Sequence, residues 1–230
     1  MGQNQRRAYG MMGFVAICCA VMAYVEVAIE PAYMVKSAIK VLVFFVLPLV
    51  TAKAAGIKPP DGAFGLDRRG LAKRLLLGLL IYGVIMVAYA MTTGIFDYTR
   101  LVQSLSADQR VDSGSFIWVA LYISFCNSFL EEFLFRFVSF LQLSRYTAKK
   151  TAYGFSSVMF AVYHIAMLGA SFPPLLLVLA VAGLAIGGLI FDYVDDKSGS
   201  LYNSWMVHMF ADFAIMTIWY LHIYSNHQKS

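Results

Sequence analysis

The chain has 230 residues, 60% of them hydrophobic, 15% aromatic and only 13% charged, and its mean hydropathy is +0.68. A soluble domain carries about a quarter charged residues, so a water-soluble globule is excluded. At about 20 apolar residues per crossing the length holds about six to eight membrane spans and no separate soluble domain.

Apolar segments run over residues 11–30, 32–55, 75–96, 115–144, 152–170, 172–191 and 201–224. They are continuous, as in Leu75 to Met86, and lack the two-residue alternation of a membrane barrel. The expected fold class is therefore all-α: a polytopic transmembrane helical bundle of about seven spans, with residues 1–230 forming a single integral membrane domain. The second span contains Lys40 and Pro48, and the fifth and sixth are joined by the corner Ser171-Phe172-Pro173-Pro174. Gly56 to Lys73 reads as a turn and an interfacial basic approach, and Asp97 to Gly114 as the longest outer loop. Arg6 and Arg7 precede the first span without a small-residue cleavage site, so that segment is expected to be retained.

With the N-terminus cytoplasmic, Arg6, Arg7, Lys53, Lys58, Arg68, Arg69, Lys73, Arg74, Arg145, Lys149, Lys150 and Lys197 fall on the inner side. Lys36, Arg100, Arg110 and Lys229 fall on the outer side. The bias matches an N-in, C-out topology. The net charge of +5 follows from this topology. Without a solvated basic face, no nucleic-acid partner is expected; the bilayer is. Cys18, Cys19 and Cys126 lie in apolar runs and read as reduced thiols packing as small hydrophobes.

Ionisable side chains within spans cost about 2.5 to 3.5 kcal/mol each, which marks them as functional candidates. The fourth span carries Glu131, Glu132 and Arg136, the fifth His164 and the seventh His208 and Asp212, while Glu26 and Glu30 lie near the outer end of the first. On an α-helix Glu132 and Arg136, at i,i+4, share a face, whereas Glu131 points about 140° away from Arg136. Glu132 and Arg136 then read as a structural pair and Glu131 as the carboxylate with no partner on its own helix, within a turn of Asn127. At 1.5 Å per residue from the cytoplasmic ends, Glu131 and His164 lie about 20 Å deep, Asp212 about 18 Å and His208 about 12 Å. A carboxylate, two imidazoles and a second carboxylate at similar depth supply what amide hydrolysis needs: Glu131 as general base, His164 to hold and polarise water, and His208 with Asp212 at the oxyanion side.

Three motifs occur in order on separate spans: Glu-Glu-x-x-x-Arg at Glu131, Glu132 and Arg136, Phe-x-x-x-His at Phe160 and His164, and His-x-x-x-Asp at His208 and Asp212. Over about residues 115–215 the sequence resembles the CPBP family of intramembrane proteases, which groups CAAX prenyl endopeptidases with bacteriocin-processing and Abi-type self-immunity proteins. The resemblance implies that Glu131 and His164 activate water and that His208 and Asp212 form the oxyanion site. It also implies a membrane-associated protein or peptide substrate and residence in a prokaryotic cytoplasmic membrane. Asp212 stands where CAAX-processing members usually have asparagine, and a carboxylate repels an oxyanion unless protonated or bound to a cation. Glu131, His164, His208 and Asp212 also compose an N2O2 set of the kind zinc takes. Against zinc, there is no His-Glu-x-x-His helix, and a metal bound by all four would leave no general base, so metal-free glutamate catalysis is preferred.

Two other readings fit the same residues: a non-catalytic self-immunity or binding protein, and a proton- or cation-coupled transporter. The absence of an inverted repeat weighs against the last. The bland readings make Phe160 a packing residue, Gly183 and Gly187 a close helix seam, Glu26 and Glu30 hydrated groups, and His222 and His227 solvent-facing. Met11, Met12, Met22, Met206, Met209 and Met216 read as core and lipid contacts.

Overall fold

The computed structural model describes residues 2–65, 70–109 and 114–225. The basic approach at Leu66 to Arg69, with Arg110, His227 and Lys229, lies outside the described residues. Among the described residues all regular structure is helical. Six helices among the described residues are long and apolar enough to cross a membrane: α1 (Gln3–Ile29), α2 (Tyr33–Ala54), α3 (Leu71–Thr92), α5 (Phe116–Arg145), α6 (Lys149–Leu168) and α7 (Pro174–Ser198). The last helix, α8 (Leu201–Ser225), has 25 residues, about 37 Å of length and enough for a crossing. It carries His208, Asp212 and His222.

The expected outer loop contains a helix, α4 (Tyr98–Gln109). Asp97 starts it, its Oδ1 accepting the Arg100 N–H at 3.0 Å, as an N-cap aspartate does. Val102 then anchors it against Phe116, Met216 and Trp219. The sixth span runs to Ser198, beyond the expected end at 191. Pro174 in its first turn and Gly199 just past its end (φ 71°) set its limits, the proline-start, glycine-stop arrangement of a helix.

The chain divides into two compact units, residues 1–67 with 129–205 and residues 68–128 with 206–230. The first unit holds α1, α2, the second half of α5, α6, α7 and the first turn of α8. Its interior includes Phe44, Phe133, Phe135, Phe140 and Phe160, all but fully buried. Here α6 and α7 approach closely at Gly188, where a Cβ would lie 3.0 Å from Ser157 Cα; Gly183 and Gly187 have open space instead. The seam expected at Gly183 and Gly187 is therefore at Gly188, because only that glycine faces a neighbouring backbone. Asp195, near the end of α7, accepts the Ser204 N–H at 3.1 Å and the Ser204 hydroxyl at 2.9 Å, while the Leu201 N–H donates to the Ala63 carbonyl at 3.1 Å. These bonds satisfy donors that the first turn of a helix leaves open.

The second unit holds α3, α4, the first half of α5 and the rest of α8. Gly78 on α3 admits the Phe210 ring, which a Cβ would overlap at 2.3 Å. Tyr82 and Thr217 bond at 3.1 Å, and Trp219 donates to Ser106 at 2.8 Å. His222, expected to face solvent, is instead held between Tyr89 at 2.8 Å and Thr99 at 3.0 Å, because α4 brings Thr99 to it. Leu76, Leu79, Leu80, Val84 and Val87 on α3 are exposed, which suits a lipid-facing surface. All three cysteines are free, Cys18 and Cys19 buried and Cys126 exposed.

Among the described residues, four stretches depart from α geometry into wider π-helical winding: Val25–Ile29, Leu42–Val46, Tyr122–Asn127 and Phe133–Gln142. Such segments are uncommon and gather at functional sites. Glu26 lies inside the first, and Lys40 precedes the second by two residues. Asn127 closes the third, and Glu131 and Glu132 end just before the fourth. The second also eases Pro48 into α2, since a proline with no N–H leaves a carbonyl one turn back that an unwound turn can accommodate.

Candidate active site

In the first unit Glu131 and Glu132 are both buried on α5, and successive side chains about 100° apart reach different surroundings. Glu132 lies on the Arg136 side, its Oε2 3.5 Å from Arg136 Nε. The same guanidinium is 3.7 Å from Asp192 of α7 and donates to Ser156 of α6 at 3.2 Å. The Ser156 hydroxyl lies 2.8 Å from both Asp192 Oδ1 and the Phe135 carbonyl. Arg136 also stacks over Phe160 at 4.5 Å and Phe191 at 5.2 Å. One arginine between two carboxylates and two ring faces ties α5, α6 and α7 together.

Glu131 meets other groups. Its Oε1 accepts from Lys40 Nζ of α2 at 2.6 Å, in an ion pair with both side chains almost fully buried. Its Oε2 stands 3.6 Å from His164 Nε2 of α6. The other imidazole nitrogen, Nδ1, is 2.7 Å from the Phe160 carbonyl. A carbonyl oxygen only accepts, so Nδ1 carries the proton and donates; in the neutral ring Nε2 is then an acceptor. Two acceptor atoms, Oε2 and Nε2, thus face each other at a separation that suits a shared water donating a proton to each. Phe160 links the two surroundings: its carbonyl fixes the His164 tautomer, its ring edge meets His164 at 4.7 Å, and its face carries Arg136.

In the second unit His208 Nε2 and Asp212 Oδ1 lie 3.7 Å apart, one turn of α8 between them, with His208 buried. Glu26 and Lys36, in the first unit, form an ion pair at 2.8 Å, so Glu26 is held by a neighbouring span; Glu30 is exposed.

A sequence model described as Rce1-like, type II CAAX prenyl endopeptidase, matches residues 113–214, the stretch carrying Glu131, Glu132, Arg136, Phe160, His164, His208 and Asp212. Over this segment the chain is similar to that family of CAAX proteases, which supports its resemblance to the CPBP intramembrane proteases. No curated protein and no solved structure matches the chain. With six apolar helices, the chain is a multi-pass membrane protein, and a CAAX protease acts on a membrane-associated protein.

Two residues of this candidate site escape the sequence. Lys40 lies outside the matched segment, 91 residues from its partner, and its one signal is a lone lysine amid an apolar span. Asp192 falls one residue beyond the expected end of the sixth span, and its signal is an acidic residue at that span's C-terminal end. Lys40 also bears on zinc. Among the described residues no three His, Cys, Asp or Glu side chains gather to hold an ion. The Lys40 ammonium sits on one oxygen of Glu131, a fixed positive charge that opposes a second cation at that carboxylate.

Proposed function

We propose that the chain is an intramembrane endopeptidase in which Glu131 is the general base, working with His164 and without a metal. The observation that carries this reading is the facing pair Glu131 Oε2 and His164 Nε2, 3.6 Å apart, with His164 Nδ1 committed to the Phe160 carbonyl. A water between them gives one proton to Glu131 as its oxygen attacks the scissile carbonyl carbon, and His164 fixes the water through the other proton. Glu131 then hands its proton to the leaving amine, so base and acid are one group used twice.

His208 and Asp212, one turn apart on α8 and 3.7 Å from each other, are proposed as the oxyanion pair that the motif resemblance implies. Glu132 and Arg136 hold the helix that carries the base.

The test is comparative mapping of protein termini in membranes of cells expressing the wild type or Glu131→Gln. Termini that require Glu131 support the reading, and identical sets overturn it. Cleavage is expected to survive exhaustive chelation; its loss on chelation and return with zinc would overturn the metal-free assignment. The substrate is proposed to be a membrane-anchored protein, the membrane a prokaryotic cytoplasmic one, and the topology N-in, C-out, checked by reporters fused at each terminus.

A further inference from the structure

We propose that Lys40 is the positioning cation of the Glu131–His164 pair: it fixes one oxygen of the base so that the other faces the imidazole. The inference rests on Glu131 being the base.

Three observations carry it. First, the two carboxylate oxygens are divided between partners, Oε1 to Lys40 at 2.6 Å and Oε2 toward His164 at 3.6 Å. A carboxylate turns freely about its last bond, and a short bond to one oxygen removes that freedom and chooses which lone pairs meet the water. Second, the ammonium is itself held. It lies 5.4 Å from the Phe44 ring centre and 5.1 Å from that of Tyr163, and ring faces attract a cation at such distances. Tyr163 is the chain neighbour of His164, so one turn of α6 carries both the imidazole and a wall of the lysine's cage. Third, a structural need alone does not explain a lysine here. A buried ion pair is weak evidence for stability, because apolar residues of similar volume usually serve as well or better, and a lysine deep in a span is costly.

Lys36 offers the internal control. It stands one turn before Lys40 on α2 and pairs with Glu26 at 2.8 Å, yet that carboxylate belongs to none of the three motifs. The two lysines share a helix face and a type of partner, and only one reaches the base.

The experiment uses the full chain in native membranes. The readout is the rate at which Glu131-dependent termini appear per folded molecule, with the folded amount fixed by gel filtration and thermal unfolding of the extracted protein. Lys40→Met is expected to slow cleavage by about 100-fold, and Lys40→Arg, which keeps the charge, to recover about tenfold of that loss. Lys36→Met is expected to cleave within about threefold of wild type, and Lys40→Met with Glu131→Gln to be no slower than Glu131→Gln alone, as for groups acting as a unit. Where Lys40→Met does not fold, Lys40→Gln serves, since it keeps a donor to Oε1 without the charge; a loss of at least about tenfold is expected.

Wild-type rates in Lys40→Met or Lys40→Gln, or equal losses in Lys40→Met and Lys40→Arg, overturn the inference and leave Glu131 as the base. Unchanged cleavage in Glu131→Gln overturns the base assignment and this inference with it.

Discussion

Glu131 and Glu132 are adjacent on α5 and equally buried, yet their surroundings differ in kind. Around Glu132 the groups are crowded: one guanidinium, a second carboxylate from Asp192, the Ser156 hydroxyl and two ring faces. At Glu131 the Lys40 ammonium takes one oxygen, and the other stands 3.6 Å from an imidazole whose far nitrogen is engaged by the Phe160 carbonyl. The first surroundings suit an unchanging role, since every change of charge there would unbalance three helices. The second leave an oxygen positioned for proton exchange. A helical step of about 100° is enough to separate a scaffold from a candidate catalyst.

This comparison breaks most readily at Glu131. Glu131→Gln is expected to lower cleavage by about 1,000-fold or more, within reach of losing a positioned base, while the protein still extracts as a folded species; termini mapping and gel filtration read the two together. Arg136→Met is expected to do the reverse. It strands Glu132 and Asp192 as buried carboxylates without their guanidinium, costing about 3 to 5 kcal/mol, read as a large fall in unfolding temperature and in folded yield. If Arg136→Met folds normally and cleaves slowly, the two surroundings are not separable as described.

Smaller effects sharpen the contrast. Gly188→Ala is expected to cost about 1 to 3 kcal/mol by pressing α7 off the Ser157 backbone, whereas Gly183→Ala and Gly187→Ala are expected to be neutral or slightly stabilising, by thermal unfolding. Phe160→Leu keeps the carbonyl that orients His164 and loses the ring under Arg136. It is expected to cost stability by about 1 kcal/mol and cleavage by less than about tenfold, and a larger rate loss would mean the ring serves the Glu131 side.

The spans are legible in the sequence because an apolar run of about 20 residues has few other uses, and the pairs Glu132–Arg136 and His208–Asp212 because i,i+4 spacing is a property of one helix. Contacts between helices have no such spacing. Lys40 is visible as an anomaly but its partner is not, since nothing local links residue 40 to residue 131. Asp192 hides at a span boundary, where hydropathy fades gradually. The helix Tyr98–Gln109 is concealed by a polar composition, its cap at Asp97 and its anchor at Val102 being single residues. His222 looks peripheral until α4 is placed beside it.

The π-helical stretch Phe133–Gln142 has a consequence for how the length of α5 is set. A wider coil fits more residues into each turn, so this part of the helix carries slack that an ordinary turn lacks. Ser139 shows it directly, its hydroxyl reaching back five residues to the Leu134 carbonyl at 2.8 Å. Removing one residue between Phe137 and Leu141 lets the coil tighten to α pitch and leaves Glu131 and Glu132 aimed as before.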